Sequence, residues 1–259
     1  MVQYTYITML MRGICMTVQL FDSIKYIQNM WSIYLVQNEQ SFFNINDYKI
    51  YPAAYSSACW RGYVAQFCIS TAGQLFLHRL STNNDSLLSD TSKTGFAKKH
   101  NLFSPKINGK QAIDTFINET KEYSAHIVSG GPLFYNSLNL ATDYTGSIII
   151  VRGKLFSEIN NGMFIGFLSC ASFKFVSELI FIKGKLSDVN ELSETAALMR
   201  KTINPFYKKH ILINEDCFSE NWIERNRLIF REYKKLWPQW IIKKQNLLLK
   251  KIKNINNYN

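Results

Sequence analysis

The clearest alternation of apolar and polar positions lies between residues 56 and 80. Apolar side chains occupy every second position from 63 to 69 and would share one face of a strand: Tyr63, Ala65, Phe67 and Ile69. Turn-forming residues at 70–73 separate this stretch from a second apolar run that ends near Leu80. Alternation on both sides of a turn predicts a β-hairpin.

Further short apolar runs predict more strands, at 31–36, 48–51, 147–151, 163–168 and 175–182. The run at 147–151 is β-branched throughout its centre, which is typical of a strand buried on both faces. Glycine-containing turns separate several of these runs. The pattern favours an α+β protein whose core is a mainly antiparallel β-sheet or an open barrel, with helices toward the C-terminus.

Helical periodicity is confined mainly to the two ends of the chain. We expect residues 1–29 to be an N-terminal extension, either a hydrophobic helical arm or a segment that precedes a true start at Met30. The sheet occupies 30–190, apart from a predicted short helix at about 111–120. Within the helical, basic segment 191–259, we predict helices at 192–200, ending before Pro205, then from Ser219, and again from Gln239.

The charge is concentrated in that last segment. The formal net charge is +11, and ten lysines and arginines lie between Arg225 and Lys253 against Glu232 alone. The remainder of the chain is therefore close to neutral. This distribution argues against a nucleic-acid surface on the main body of the protein.

The cysteines indicate a reducing compartment. Their number is odd, and they are widely spaced without a two-residue pair: Cys15, Cys59, Cys68, Cys170 and Cys217. Such usage predicts free thiols and a cytoplasmic protein. The apolar stretch from Tyr4 to Leu20 is interrupted by Arg12 and has no clear cleavage site, so we do not expect an export signal or stable membrane insertion.

The predicted hairpin contains the most distinctive motif of the chain, Cys59-Trp60-Arg61-Gly62-Tyr63. With it the chain resembles a family of small bacterial proteins of no established function that are built around a Cys-Trp-Arg-Gly-Tyr hairpin. The resemblance extends over about 150 residues, through Gly73-Gln74-Leu75, Ile107-Asn108-Gly109, Tyr144-Thr145-Gly146 and the stretch from Val176 to Leu186. It implies a shared fold and a bacterial origin.

One departure from the family pattern concerns a histidine. Where the family has His-Met-Gly-Phe, this chain has Phe164-Ile165-Gly166-Phe167. Any chemistry that depends on that histidine in relatives would be missing here.

Arg61 and Trp60 are binding candidates within the motif. A guanidinium can bind phosphate or carboxylate while the indole stacks on a ligand. The alternative is that Trp60 fills the core and Arg61 bonds carbonyl groups of a neighbouring loop. For Cys59 a buried inert thiol is favoured over a nucleophile, and the four histidines show no metal-ligand spacing. We therefore predict no metal and no cofactor.

The basic C-terminal segment interleaves cations with aromatic side chains. Its binding candidates are Arg225, Arg231, Lys235, Trp237, Trp240 and Lys244. This composition suits RNA, single-stranded DNA, an anionic membrane surface or an acidic protein. The structural alternative is a helical hairpin that packs its aromatic side chains on the sheet and exposes its lysines.

From the sequence we expect a non-catalytic interaction protein with a protein partner, most concretely an immunity protein that neutralises a toxin. The first alternative is nucleic-acid binding through residues 222–253. The second is a hydrolase, which would require Cys59, Arg61, Glu178 or a histidine to converge in one pocket.

Overall fold

The computed structural model describes residues 20–52, 59, 61–83, 105–114, 133–155, 170, 172–210, 237–244 and 246–247. In these residues the chain forms mostly an open, mixed, largely antiparallel β-sheet with a few short helices. The predicted mainly antiparallel sheet is thereby confirmed. The full set of C-terminal helices stays a prediction, because most of 211–259 lies outside the described residues.

The strands in the described residues are β1 Ser23–Tyr26, β2 Asn29–Val36, β3 Tyr63–Ile69, β4 Leu75–Thr82, β5 Ile113–Asp114, β6 Leu133–Tyr135, β7 Leu140–Ala141, β8 Gly146–Lys154, β9 Phe173–Ile182 and β10 Lys185–Glu191. The α-helices are α1 Glu39–Phe42 and α2 Ser193–His210, a 3-10 helix covers Ile45–Tyr48, and residues 239–244 are helical.

The structure divides into two compact units that alternate along the chain. Unit 1 contains the described residues up to Ser32, those of 38–145, and Phe181–Ser187. Unit 2 contains Ile33–Gln37, Gly146–Ile180 and the described residues from Asp188 onward. The three consecutive segments predicted from the sequence stay a prediction, because much of both terminal segments is outside the described residues.

Unit 1 is built on the predicted hairpin of β3 and β4. Strand β1 pairs antiparallel with β2 and parallel with β3, and β4 pairs antiparallel with β3, β6 and β7. Ile24, Phe67 and Leu77 occupy matching positions on three neighbouring strands and are fully buried. The apolar positions of the alternating sequence pattern thus form the inward face of this sheet.

Unit 2 has a core formed by β8, β9 and helical residues. The run Ile148–Val151 is buried, as its β-branched composition predicts. The core cluster consists of Ile149, Val151, Cys170, Phe173, Val176, Leu192, Ala196, Met199, Trp237 and Ile241. Arg200 of α2 also donates from Nη1 to the Phe173 carbonyl, 2.6 Å away, which ties the helix to the start of β9.

One strand prediction was wrong because short-range hydrogen bonding outweighed strand propensity. Residues 48–51 are not a strand: the Asn44 side chain accepts from the Asn46 amide and caps the 3-10 helix that ends at Tyr48. Lys49 then takes a left-handed conformation, with φ 59°, which ends the helix.

Three helix predictions also differ from the structure. Residues 113–114 form β5 instead of helix, and 23–26, within the segment expected to be helical, form β1. Helix α2 continues past Pro205 to His210. A proline removes one backbone donor and weakens a helix without forbidding helical geometry, so its presence did not end the helix as predicted. The predicted strand at 163–168 lies outside the described residues.

Three motifs of the resemblance meet at one junction in unit 1. The Gly184 amide donates to the Tyr144 carbonyl at 2.8 Å, and the Leu75 amide donates to the Gly184 carbonyl at 2.8 Å. The Leu186 amide donates to the Gly73 carbonyl, also at 2.8 Å. The turn between β9 and β10 is thus held against the turn between β3 and β4, which gives these motif residues a structural role.

Candidate functional site

Arg61 lies just before β3 and forms a fork-shaped ion pair with Asp22. Its Nη1 donates to Oδ2 at 2.8 Å and its Nη2 to Oδ1 at 2.5 Å, while Nε donates to the Tyr63 carbonyl at 2.9 Å. Asp22 Oδ1 also accepts from the Ala65 amide at 2.6 Å. One carboxylate therefore fixes both the arginine and the backbone of β3.

The surroundings of this pair are largely shielded from solvent. The side chains of Arg61 and Asp22 are 23% and 12% exposed. Burial opposes the charge of Arg61, but the Asp22 carboxylate together with the Tyr63 and Cys59 side chains outweighs it and raises the pKa of the guanidinium. The arginine is therefore held as a cation whose charge is balanced inside the fold.

Cys59 lies beside the pair, and its Sγ donates to the Tyr63 carbonyl at 3.5 Å. It is buried, and burial raises the pKa of its thiol despite the nearby Arg61 cation. A raised pKa keeps the thiol protonated at neutral pH, which is the opposite of what a nucleophile needs.

The geometry at Arg61 therefore resembles the scaffold alternative more than the ligand-binding one. Nε, Nη1 and Nη2 each donate within unit 1, and the carbonyl that accepts from Nε is that of Tyr63 in β3 and not one of a neighbouring loop. A ligand-binding role for Arg61 stays a prediction. Trp60 lies outside the described residues.

Tyr63 gives this cluster a measurable pH dependence. Its ring lies 4.6 Å from Cζ of Arg61, and burial, partly offset by that cation, raises the pKa of the phenol to about 12 from 10.0. Because the folded pKa is the higher one, the stabilisation is complete below pH 10 and is lost as the pH rises toward 12. We expect Tyr63 to account for up to about 2.5 kcal/mol of that loss.

Urea unfolding of the wild type and Tyr63→Phe at pH 8, 10 and 11 measures this effect. The phenylalanine variant keeps the ring near Arg61 but cannot ionise, so its stability should fall less with pH. If the free energies of unfolding of the two proteins fall equally with pH, Tyr63 has the same pKa in the folded and unfolded chain.

The C-terminal candidates that the structure describes lie in unit 2. Trp237 is buried in the core cluster, and Trp240 is partly buried and donates from Nε1 to Glu178 Oε1 at 2.6 Å. Lys244 Nζ donates to the Val36 carbonyl at 3.0 Å. Arg225, Arg231 and Lys235 lie outside the described residues. The three described side chains are thus engaged in packing or internal hydrogen bonds.

Glu178, considered as a general base, is only 3% exposed. One carboxylate oxygen accepts from Trp240 and the other accepts from Asn190 Nδ2 at 2.9 Å. It belongs to unit 2, whereas Cys59, Arg61 and His78 belong to unit 1. Glu178 is best understood as an acceptor that holds the helical residues at 239–244 on β9.

An open groove of about 780 Å³ lies on unit 1 beside the β1–β2 turn. Its polar lining residues include Lys25, Gln66, Cys68, His78 and Asn139. His78 is the extra residue of a β-bulge, because Gln66 pairs with Arg79 and the next residue of β3 pairs with Leu77. Bulges redirect a side chain, and here the His78 ring reaches Asn139, with Nδ1 3.2 Å from Oδ1.

The β1–β2 turn at the end of this groove has an unusual backbone. Ile27 and Gln28 both have positive φ, 44° and 60°, as the central residues of a type I′ turn do. Asparagine and glycine favour such positions, whereas a β-branched residue there is strained. Ile27 is nevertheless 70% exposed, and Met30 just after it is 43% exposed.

The sequence prediction missed both Asp22 and this turn. Asp22 is not among the sequence candidates, since nothing local indicates a partner 39 residues away. The turn was hidden because Ile-Gln is not a turn dipeptide. The available indication of a hairpin was the pair of apolar runs on either side of the turn, at 20–27 and 30–36.

In the part of the chain that the structure describes, no three His, Cys, Asp or Glu side chains are grouped as a metal site. No helix there has both the length and the apolar composition needed to cross a membrane.

Comparison with known proteins adds no identification. No family model matches the chain, and neither a curated protein nor a solved structure matches it. The resemblance to the Cys-Trp-Arg-Gly-Tyr hairpin proteins stays a prediction.

Proposed function

We propose that this is a non-catalytic interaction protein that binds a protein partner through the β1–β2 turn and the adjoining groove of unit 1. The observation that carries the proposal is the exposed, conformationally strained Ile27. Its most specific form is a cytoplasmic immunity protein that neutralises a toxin.

The strain at Ile27 is the first support. A non-glycine residue in a sparsely populated backbone region costs about 1–3 kcal/mol and persists where the surroundings impose it or function uses it. Here the strained residue presents an aliphatic side chain to solvent, with Met30 exposed nearby. Apolar side chains displayed in this way are suited to act as anchors in a partner's pocket.

The charge of the groove indicates the kind of partner. Its described lining includes Lys25 and His78 and contains neither Asp nor Glu. An acidic partner would therefore associate faster and orient correctly, while the apolar anchors supply affinity.

Replacing Ile27-Gln28 by Asn-Gly tests whether the strained turn serves binding. Asn-Gly is the preferred type I′ pair, so the double variant should be more stable by about 0.5–2 kcal/mol. It should also lose at least about tenfold in partner affinity, because the anchor is gone. Urea unfolding and titration calorimetry measure the two effects.

The partner for that titration is the product of the toxin gene expected next to this one. The purified wild type should bind it and protect cells that express it, and Ile27→Asn/Gln28→Gly should do neither. Ile182→Asn, at an exposed position of β9 that does not line the groove, is the matched control and should behave as the wild type. Equal activity of the turn variant, or consistent isolation of this gene from any toxin gene, would reject the proposal.

A further inference from the structure

We propose that Asn108 is a modification site, at which the side-chain amide is lost by spontaneous deamidation. The product is an aspartate or an isoaspartate in the turn at 107–110. The change loosens the loop at 136–139, whose Asn139 lines the groove of unit 1.

Asn108 and Gly109 are the central residues of a tight turn. Ile107 and Lys110 exchange two backbone hydrogen bonds across it, of 3.0 and 2.9 Å. Both central residues have positive φ, 47° and 73°, as in a type I′ turn. Both are exposed, and a Cβ on Gly109 would meet nothing within 4 Å. Water and hydroxide ion therefore reach the side-chain amide and the peptide nitrogen that follows it.

Deamidation is an attack by the Gly109 backbone nitrogen on Cγ of Asn108. The N–Cγ bond that forms closes a succinimide ring, and the bond from Cγ to Nδ2 breaks. Nδ2 leaves as ammonia and takes the proton that the Gly109 nitrogen has given up. Water then opens the ring at either carbonyl, which yields aspartate or isoaspartate. The net reaction exchanges ammonia for water and needs no other reactant.

The surroundings of the turn favour this attack. Glycine has no side chain that would shield its nitrogen or restrict its rotation. Among the described residues the Gly109 N–H donates to no protein acceptor, so no internal hydrogen bond has to break first. The reacting form of the nitrogen is the deprotonated one, which the nearby cations of Lys106 and Lys110 stabilise. No acidic residue at 105–112 opposes them.

The Asn108 amide also joins this turn to the loop at 136–139. Its Nδ2 donates to the carbonyl of Leu138, a buried residue, at 2.7 Å. The Leu138 amide donates to the His78 carbonyl at 2.9 Å, and Asn139 Oδ1 lies 3.2 Å from His78 Nδ1. A carboxylate cannot donate, so after deamidation two acceptors face each other at Leu138 and repel. Isoaspartate also lengthens the main chain of the turn, which misaligns its cross-turn bonds.

Incubation of the full chain at 37 °C and pH 9, followed by peptide mass spectrometry, tests the reaction. We expect a gain of about 1 Da at Asn108, since water is heavier than the ammonia that it replaces. It should accumulate at least about tenfold faster than in Gly109→Ala, which has room for a Cβ that shields the nitrogen. Asn46, exposed but followed by aspartate, is the internal control and should react at least about tenfold more slowly. Assignment to peptides is needed because a second Asn-Gly pair occupies 161–162.

The Asn108→Asp variant tests the consequence for the loop. Hydrogen exchange of the Leu138 amide should be about five- to tenfold faster than in the wild type, because the loop loses one hydrogen bond. Asn46→Asp adds the same charge at an exposed position of unit 1 and should leave that rate unchanged. The proposal is overturned if Asn108 reacts no faster than Asn46, or if the Leu138 amide is equally protected in both aspartate variants. These measurements need no partner, so they stand or fall independently of the function proposed above.

Discussion

Gly184→Ala should destabilise unit 1 by about 4 kcal/mol or more, or prevent it from folding. Gly184 has φ +74°, which disfavours any side chain. A Cβ at this position would also overlap the Thr142 carbonyl oxygen and collide with the Gln74 amide nitrogen. Neither neighbour moves freely, because the Thr142 amide donates to the Leu75 carbonyl and Gln74 Nε2 donates to the Thr142 carbonyl.

Gly109→Ala is the control that separates space from backbone conformation. Gly109 has nearly the same φ, +73°, but a Cβ there would meet nothing within 4 Å. Its substitution should cost only about 1 kcal/mol, the conformational share. Urea unfolding followed by circular dichroism compares the two variants, and equal costs would mean that the junction tolerates a side chain.

Asp22→Ala should cost about 3 kcal/mol, the second largest effect we expect. The substitution leaves the largely buried Arg61 cation without its counter-charge and the Ala65 amide without its acceptor. Asp22→Asn keeps the shape and restores one acceptor, so it should fall between alanine and the wild type. Asp143→Asn, at an exposed position, should change the free energy of unfolding by less than about 0.5 kcal/mol.

A double-mutant cycle with Arg61→Leu tests whether the cost comes from the pair. If it does, the double variant should be less destabilised than the two single variants together, by about 1–3 kcal/mol. Strict additivity would mean that Asp22 and Arg61 act separately. Binding of the protein partner should be unaffected in Asp22→Asn if Arg61 serves only the scaffold.

The sequence predicted the parts of the fold in which side-chain burial repeats at short range. The β3–β4 hairpin and the buried run at Ile148–Val151 follow directly from alternation and β-branched composition. The 3-10 helix at Ile45–Tyr48 was missed because an asparagine side chain, and no repeating pattern, determines it.

The candidate site depends on features that sequence patterns record poorly. The partner of Arg61 is distant in the chain, and the orientation of His78 depends on a bulge that shifts the pairing of β4. The aromatic side chains of the C-terminal segment were recognised, but their composition alone does not tell packing from binding. Trp240 illustrates this, since its indole is committed to a buried carboxylate on β9.

The alternation of the two units along the chain has a consequence for protein synthesis. Unit 1 receives its last piece, Phe181–Ser187, only after the ribosome has made most of unit 2's strand residues. Until then the carbonyl groups of Tyr144 and Gly73 lack the amide donors that Gly184 and Leu186 supply in the folded unit. A nascent chain halted before residue 187 would therefore expose unfinished sheet, a form that invites chaperone binding and aggregation.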